Sequence, residues 1–284
     1  MLVAGQQRAD SILFTRNFYG VYRVKESPTL LLDRVNYPLT PGVARVLLSG
    51  QIYHGLQFTN AASARTATTY YCEEGGLGFV FRELPARTNR HIGAVGLGAG
   101  TVATYAQPGD RLRLYELNPD VARIAWHQFT FLSNSAARVE VVLGDGRLSL
   151  EREPDQNFDL LVLDAFAGDS IPLHLLTAEA MQTYRRHLKP DGVMALHISN
   201  SHLDLRPVVR ALAETVGFTA LAVPPERVDP REGKLVSIWM LLTANQEFLR
   251  QPAVTTAQSS PINLPQRENL LWTDDYSSIL PILK

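Results

Sequence analysis

The sequence predicts an α/β fold with a mostly parallel sheet, helices on both faces, an antiparallel last strand and a small β-rich domain in front. From about residue 90 to 243, short apolar runs alternate with helical patterns, as in sheets whose parallel strands are joined by crossover helices. Segments 218–223 and 234–243 flank a polar loop and can pair as antiparallel strands. Residues 11–83 contain short apolar runs among Gly, Pro and Asn, which is typical of a β-rich domain.

Local signals justify the individual elements. The predicted parallel strands are, in order, HIGAV, RLRLYEL, RVEVVLGD, FDLLVLD and GVMALHIS, and the runs of the β-rich domain include YGVYRV, RVLLSG, ATTYY and GFVF. A helix is expected directly after the first parallel strand. Asn118 as N-cap and Pro119 at the first helical position begin the next helix. Thr177 begins another, which Pro190 and Gly192 close, and Gly217 ends the last of them.

These elements divide the chain into three parts. We predict a β-rich domain over 11–87, a Rossmann-like domain over 88–250 and a tail over 251–284. The tail begins as a loop and ends in the apolar and aromatic segment LLWTDDYSSILPIL, which we expect to dock on the body.

Composition excludes several classes of protein. The chain has 284 residues, of which 27 are basic and 28 acidic, and its longest basic run is Arg185-Arg186, so we expect no nucleic-acid partner. One cysteine, Cys72, excludes an internal disulfide and suits a reducing compartment. No stretch approaches the roughly 20 apolar residues that span a bilayer, and the start MLVAGQQRADS lacks a secretory pattern. We therefore expect a cytoplasmic protein with no membrane partner.

The turn after the first parallel strand carries three glycines. Gly96, Gly98 and Gly100 let the backbone turn tightly and approach a ligand, next to the unpaired N–H groups of the expected helix. Steric demand alone also explains glycine in a tight turn, so a structural and a binding role are equally open at this point.

The next two strand ends carry acids. Glu116 ends the second strand 20 residues beyond Gly96, where a carboxylate can accept hydrogen bonds from both ribose hydroxyls of a nucleotide. At the third strand end, Asp145 can accept from an adenine amino group and Gly146 leaves room for the ring, although Asp-Gly is also a common turn pair. Glycines, Glu116 and Asp145 thus lie at three successive strand ends, and this coincidence favours an adenosine-containing ligand. The G-x-G-x-G spacing and the lack of a second βαβ half favour S-adenosylmethionine over NAD, and therefore a sheet of the S-adenosylmethionine-methyltransferase type.

The fourth strand end, in LVLDAFAGDSIP, carries two carboxylates. Asp164 falls where the reactive part of the ligand should lie, and there it can accept a proton from an attacking amine or attract a cation. Asp169 can hold a second positive charge, although a surface turn after Gly168 explains it nearly as well. Because no basic residue lies between 159 and 173, the segment favours a small cationic substrate.

With these motifs, residues 90–243 resemble the spermidine synthase family, the polyamine aminopropyltransferases, and most of all the spermidine-synthase-like domains of bacteria. The matching segments are VGLGAG, YEL, GDG, FDLLVLDAFAGDSIP and YRRHLKPDGVMALHIS. A small β-domain ahead of the sheet also fits. Within it, LLSGQIYHGLQFT resembles a family segment that ends in a cofactor-contacting glutamine, here Gln57. TTYYCEE resembles the family's tyrosine-containing substrate segment, which implies Tyr71 at the active site.

The resemblance implies transfer of an aminopropyl group from decarboxylated S-adenosylmethionine to a polyamine such as putrescine. Asp164 would be the base, no metal would take part, and the chain would form a homodimer or homotetramer. Three features depart from the family: Ala99 replaces an acid in the glycine turn, the Asp-Ser-Ser-Asp motif is stretched to DAFAGD, and the loop PPERVDPREG lacks the family's substrate-side pattern. An S-adenosylmethionine-dependent methyltransferase and a non-catalytic nucleotide- or polyamine-binding relative therefore stay open as alternatives.

Three further features lie close to these motifs in the sequence. The tail pair Asp274-Asp275 is a candidate lid on the cationic pocket, with Asp275 as a substrate-binding residue, although capping of a final helix explains the pair slightly better. His174 and His54 lie near predicted site residues, and a packing or capping role explains each of them better than a catalytic one.

Overall fold

A computed structural model of the chain describes residues 11–165, 172–224, 226–263, 267–268 and 270–284. The predicted substrate residue Asp169 lies outside the described residues.

The N-terminal region is β-rich, as predicted. An antiparallel sheet has the strand order β1-β2-β5-β6, and β3 and β4 form a separate hairpin. The strands are β1 Leu13–Asn17, β2 Gly20–Ser27, β3 Thr29–Leu32, β4 Val35–Pro38, β5 Ala44–Ser49 and β6 Ile52–Phe58.

Two predicted strands of this region are wrong. GFVF lies inside helix α1, Gly76–Glu83, which buries Leu77 and Val80 three residues apart on one helical face. The chain at ATTYY forms no strand and makes one isolated bridge, between Thr69 and Lys234. Short apolar runs suit either element, and packing decides between them.

The second sheet has seven strands in the order β12-β13-β11-β10-β7-β8-β9. All neighbours from β11 to β9 are parallel, whereas β13 runs antiparallel to both β11 and β12, which confirms the predicted mixed sheet. The strands are β7 His91–Val95, β8 Arg111–Glu116, β9 Arg138–Leu143, β10 Phe158–Leu163, β11 Leu188–His197, β12 Thr219–Val223 and β13 Trp239–Thr243.

The register brings the carboxyl ends of the central strands together. Val95 pairs with both Tyr115 and Leu163, so the residues that follow these strands meet at one edge. The Asp164 N–H donates to Val95 O at 2.9 Å, and the Gly96 N–H donates to Tyr115 O at 2.9 Å. This edge is where ligands bind in open α/β sheets.

Helices Pro119–Gln128 and Ala178–His187 begin where the sequence predicts, whereas the tail, which was expected to begin as a loop, forms a helix over Pro252–Gln258. Asn118 caps α2 by accepting from Asp120 N–H, and Thr177 caps α4 by accepting from Ala180 N–H. The helices after α1 are α2 Pro119–Gln128, α3 Gly146–Arg152, α4 Ala178–His187, α5 Arg206–Thr215, α6 Gln246–Leu249 and α7 Pro252–Gln258.

Two predicted boundaries are wrong. The glycine turn leads into a short 3-10 helix, Thr101–Tyr105, because Pro108 follows closely and stops helical propagation. Pro190 and Gly192 do not close α4 but lie within β11, which begins directly after His187.

The N-terminal sheet packs on the glycine turn and on α2. Tyr22 and Leu47 of that sheet share a buried cluster with Ala99, Val121 and Ile124. Near the chain's end, Trp272 is fully buried and its carbonyl accepts from Ala178 N–H, while Arg147 makes a bidentate pair with Asp274. The division at 11–87, 88–250 and 251–284 stays a prediction. Within the described part of the chain, no helix has the length and apolar character needed to cross a bilayer.

Candidate active site

A cavity of about 180 Å³ lies at the carboxyl edge of the seven-stranded sheet. The residues predicted from successive strand ends converge on it. Those that line it are Gly96, Gly98, Glu116, Asp145, Gly146 and Asp164.

The first two glycines are needed for backbone approach. Gly96 and Gly98 have φ of +97° and +54°, in the region that glycine adopts without strain. A Cβ on Gly96 would collide with the Asp164 carbonyl oxygen, and one on Gly98 would lie 2.6 Å from His54 O. The glycine turn therefore lies directly against β6 and against the chain that follows β10. Gly100 serves another purpose, because a Cβ there would lie 2.7 Å from the Leu132 side chain, within the packing behind the turn.

Glu116 is buried at the cavity wall, with 9% of its surface exposed. Its Oε2 accepts from Leu97 N–H at 3.1 Å and its Oε1 from Asn118 N–H at 2.8 Å. Burial raises the pKa of Glu116 to about 7, and these backbone hydrogen bonds only partly offset the effect. Each carboxylate oxygen keeps a second lone pair for a ligand hydroxyl.

Asp145 has both a structural and a site position. Its Oδ1 caps α3 by accepting from Leu148 N–H at 2.9 Å, and its Oδ2 lies 2.9 Å from His174 Nε2. A Cβ on Gly146 would lie 2.5 Å from the Val95 side chain, so this glycine lets α3 start close against β7. His174 lines the same cavity, which adds a contact role to the capping role expected from the sequence.

Asp164 lies at the centre of a buried polar network. Only 7% of its side chain is exposed. Its Oδ2 accepts from Tyr71 OH at 2.6 Å, and its Oδ1 lies 2.8 Å from His197 Nδ1. Burial raises the pKa of Asp164, but the charge and hydrogen bond of His197 and the bond from Tyr71 outweigh it, so the pKa lies below its ordinary value. The predicted pair of Tyr71 and Asp164 thus forms one unit, across 93 residues of sequence.

His197 continues this network. Its Nε2 lies 2.9 Å from Ser199 Oγ, and that oxygen accepts from Ile238 N–H at 2.8 Å. The imidazole stacks on Tyr70 with 4.6 Å between ring centroids and on Trp239 with 4.9 Å. Backbone, hydroxyl and two aromatic faces therefore hold the ring in one orientation towards Asp164.

A second cavity, of about 650 Å³, adjoins the first. Asp164, His54 and Tyr70 line both cavities, and His197 and Ser199 line the second. The buried Nε2 of His54 has no hydrogen-bond partner among the described residues, and burial holds the pKa of this imidazole below its ordinary value despite the nearby Asp164 charge. A buried nitrogen without a partner on a cavity wall indicates a contact with a ligand.

Four predicted residues line neither cavity, namely Gln57, Tyr71, Gly100 and Asp275, although Tyr71 bonds to Asp164, which lines both. Gln57 donates from Nε2 to Ala64 O and to Thr130 Oγ1, both at 2.8 Å, and its Oε1 accepts from Thr130 N–H at 2.9 Å. Its amide is therefore used in joining β6 to the segment after α2, and it lines neither cavity. Asp275 is exposed on the surface, and its neighbour Asp274 pairs with Arg147, so this tail pair does not cover the pocket.

Ala99, which the resemblance places at the position of the family's acid, is buried beside Gly55, where an added Cβ would lie 2.3 Å from the Ala99 Cβ. Sequence reasoning passed over Tyr70 and His197, and it favoured a packing or capping role for His54. His197 had a readable signal, because it ends the fifth parallel strand as Asp164 follows the fourth. Among the described residues, no group of three or more His, Cys, Asp or Glu side chains could hold a metal ion.

Comparisons with known proteins support the resemblance, although no family model matches the chain. A polyamine aminopropyltransferase of Vibrio vulnificus is 30% identical over 189 residues, which cover 64% of this chain and 60% of that protein. The chain thus spans less than two thirds of this relative's length.

Two solved structures share the fold. A probable spermidine synthase from Corynebacterium glutamicum has a TM-score of 0.61 at 19% identity, covering 87% of this chain and 85% of its own. A spermidine synthase in complex with the transition-state analogue AdoDATO has a TM-score of 0.53 at 12% identity, covering 94% and 82%. At these identities the likeness establishes the fold alone.

Proposed function

We propose that this chain, which is spermidine synthase-like in sequence and in fold, transfers an aminopropyl group from decarboxylated S-adenosylmethionine to a small amine such as putrescine. One observation carries the proposal: two cavities meet at Asp164, and the first is lined by the residues that suit an adenosyl group. A two-substrate transfer needs the donor and acceptor to approach one reacting centre from different sides.

The first cavity suits the donor. The Glu116 carboxylate would accept hydrogen bonds from the ribose hydroxyls. Because burial leaves this carboxylate poorly solvated, these bonds would replace hydrogen bonds to water. Asp145 would accept from the adenine amino group, next to the space that Gly146 leaves. The sulfonium end would then point to Asp164. There His54 Nε2 offers a further contact in the region where Ala99 replaces the family's acid.

The second cavity would hold the acceptor amine. In the transfer, its neutral nitrogen attacks the donor carbon next to sulfur, the carbon–sulfur bond breaks, and methylthioadenosine leaves with the electron pair. Asp164, ionised and bonded to Tyr71, attracts the cationic amine and faces the nitrogen that loses a proton.

Calorimetry with decarboxylated S-adenosylmethionine, S-adenosylmethionine and methylthioadenosine tests the donor. We expect the decarboxylated form to bind more tightly than the carboxylated one. The reverse preference would favour a methyltransferase and contradict the proposal.

Replacing Asp164 with Asn tests the reacting centre. Product formation should fall by about 10²–10⁴-fold, the usual contribution of a positioned acid or base, while methylthioadenosine binding persists. Asp155→Asn, an exposed aspartate remote from both cavities, is the matched control. Wild-type protein that binds the nucleotide but produces no polyamine product would indicate a non-catalytic relative.

The homodimer or homotetramer is also a proposal from the resemblance. Light scattering after size-exclusion chromatography measures the mass directly, and a mass of 31.5 kDa would indicate a monomer.

A further inference from the structure

We infer that His197 is the final acceptor of the proton that the amine loses, and that Asp164 orients the imidazole and stabilises its cation. This inference rests on the proposed function and concerns a residue outside the predicted set. Its basis is the hydrogen-bonded series from Ile238 through Ser199 and His197 to Asp164.

The bond to Asp164 determines which ring nitrogen carries the hydrogen of the neutral imidazole. The ionised Asp164 carboxylate can only accept a hydrogen bond, so the ring nitrogen beside it has to donate. Ser199 Oγ, which accepts from Ile238 N–H, lies 2.9 Å from the other ring nitrogen, Nε2. In the neutral ring the hydrogen then lies on Nδ1 and donates to Asp164 Oδ1 at 2.8 Å. This assigns Nε2 as the basic nitrogen, oriented towards the hydroxyl of Ser199.

Asp164 by itself is a poor acceptor for this proton. Both its oxygens already receive hydrogen bonds, from Tyr71 and His197, and such bonds favour the ionised carboxylate. An ordinary imidazole binds a proton about 400-fold more tightly than an ordinary aspartate, on reference pKa values of about 6.5 and 3.9. Passing the proton to His197 therefore makes the formation of the neutral amine more favourable.

One carboxylate and two aromatic rings surround His197. Asp164 supplies the negative charge, and the ring faces of Tyr70 and Trp239 lie 4.6 and 4.9 Å away between centroids. Among the described residues, the titratable groups near the ring are Asp164 after β10, Tyr70 and Tyr71 from the segment before α1, and His54 of β6.

The proton transfer balances without another reactant. An N–H bond of the acceptor ammonium breaks, and its proton passes to Ser199 Oγ as the hydroxyl's own hydrogen moves to His197 Nε2. The freed electron pair on nitrogen then attacks the donor carbon. This step leaves an imidazolium paired with the Asp164 carboxylate. The imidazolium then loses its proton to solvent through the second cavity.

Replacing His197 with Gln keeps a polar side chain of similar length and removes the base. With putrescine as acceptor, turnover should fall by about 10²–10⁴-fold, the usual contribution of a positioned base. With a difluorinated putrescine, whose neighbouring amine is largely neutral at the assay pH, the loss should shrink below about tenfold, because no proton has to be removed first. His127→Gln, on the exposed end of α2, is the control. An equal loss with both acceptors would show that His197 only positions Asp164, and would overturn the inference.

A second measurement does not depend on turnover. Nitrogen-15 NMR of labelled imidazoles distinguishes the two neutral tautomers, and the His197→Gln spectrum identifies the signal among the 7 histidines. We expect the hydrogen on Nδ1, and a hydrogen on Nε2 overturns the relay. The Nδ1 form in a protein that transfers nothing to any amine would instead refute the proposed function, so the two failures are distinguishable.

Discussion

Replacing Glu116 with Gln tests the nucleotide end of the site, because burial of this carboxyl has a measurable consequence. The side chain is 9% exposed and accepts from Leu97 and Asn118 N–H. Burial raises its pKa from 4.5 to about 7. The folded protein thus binds this proton more tightly than the unfolded chain does, and the free energy of unfolding falls as the pH rises from 4.5 to 7.

The magnitude follows from the two pKa values. At 1.36 kcal/mol for each pH unit, the interval from 4.5 to about 7 corresponds to about 3 kcal/mol. Gln does not ionise, so the wild type should lose about 3 kcal/mol relative to Glu116→Gln between acidic pH and pH 8. The variant also lacks one acceptor for a backbone N–H, at about 1–3 kcal/mol, but this cost is the same at every pH and cancels from the comparison.

Urea unfolding followed by circular dichroism, at a series of pH values from about 4 to 8, measures this difference. Glu247→Gln, an exposed residue of α6, is the matched control and should run parallel to the wild type. Parallel curves for Glu116→Gln as well would refute the reasoning. In the same variant, methylthioadenosine affinity should fall by tenfold or more, since a charged acceptor of ribose hydroxyls is lost.

Three other substitutions test the placement of individual residues. Gln57→Ala should cost about 1–3 kcal/mol in urea unfolding by leaving the Thr130 N–H unpaired, yet leave methylthioadenosine affinity unchanged; a tenfold loss of affinity would return Gln57 to the ligand site. His54→Phe keeps a ring but removes the unpartnered nitrogen, and should weaken binding of donor or acceptor by about tenfold in calorimetry; unchanged affinity for both would exclude this contact. Gly98→Ala should cost at least about 1–2 kcal/mol, because φ is +54° and a Cβ would lie 2.6 Å from His54 O; wild-type stability would contradict the turn geometry.

The charge of the two histidines beside Asp164 affects how the site would bind a cationic substrate. Asp164 already pairs with His197, and His54 lies in the same junction. Because burial lowers the pKa of His54, its imidazole is neutral at ordinary pH and adds no repulsion to an approaching ammonium. In the proposed transfer, the Asp164 carboxylate would then attract the amine without opposition from His54.

Much of this site was predictable, because it depends on local signals and on a general rule of topology. Apolar runs identify β7, β8, β9 and β10, and parallel strands put their carboxyl ends at one edge. Gly96, Glu116, Asp145 and Asp164 all follow or end such strands, so their convergence on one cavity needed no knowledge of packing. Asn118 and Thr177 were likewise recognisable as helix caps from their own neighbours in sequence.

The contacts between distant segments were decided only by the tertiary structure. Gln57 bonds to Thr130, 73 residues away, and its motif gave no sign that packing of β6 on the segment after α2 would use its amide. His197 was read as part of a buried strand, and it became a site residue because Asp164, Tyr70 and Trp239 surround it. Strand ends are determined by local pattern and chain topology, whereas the partner of a side chain depends on how separate segments pack, which no single motif encodes.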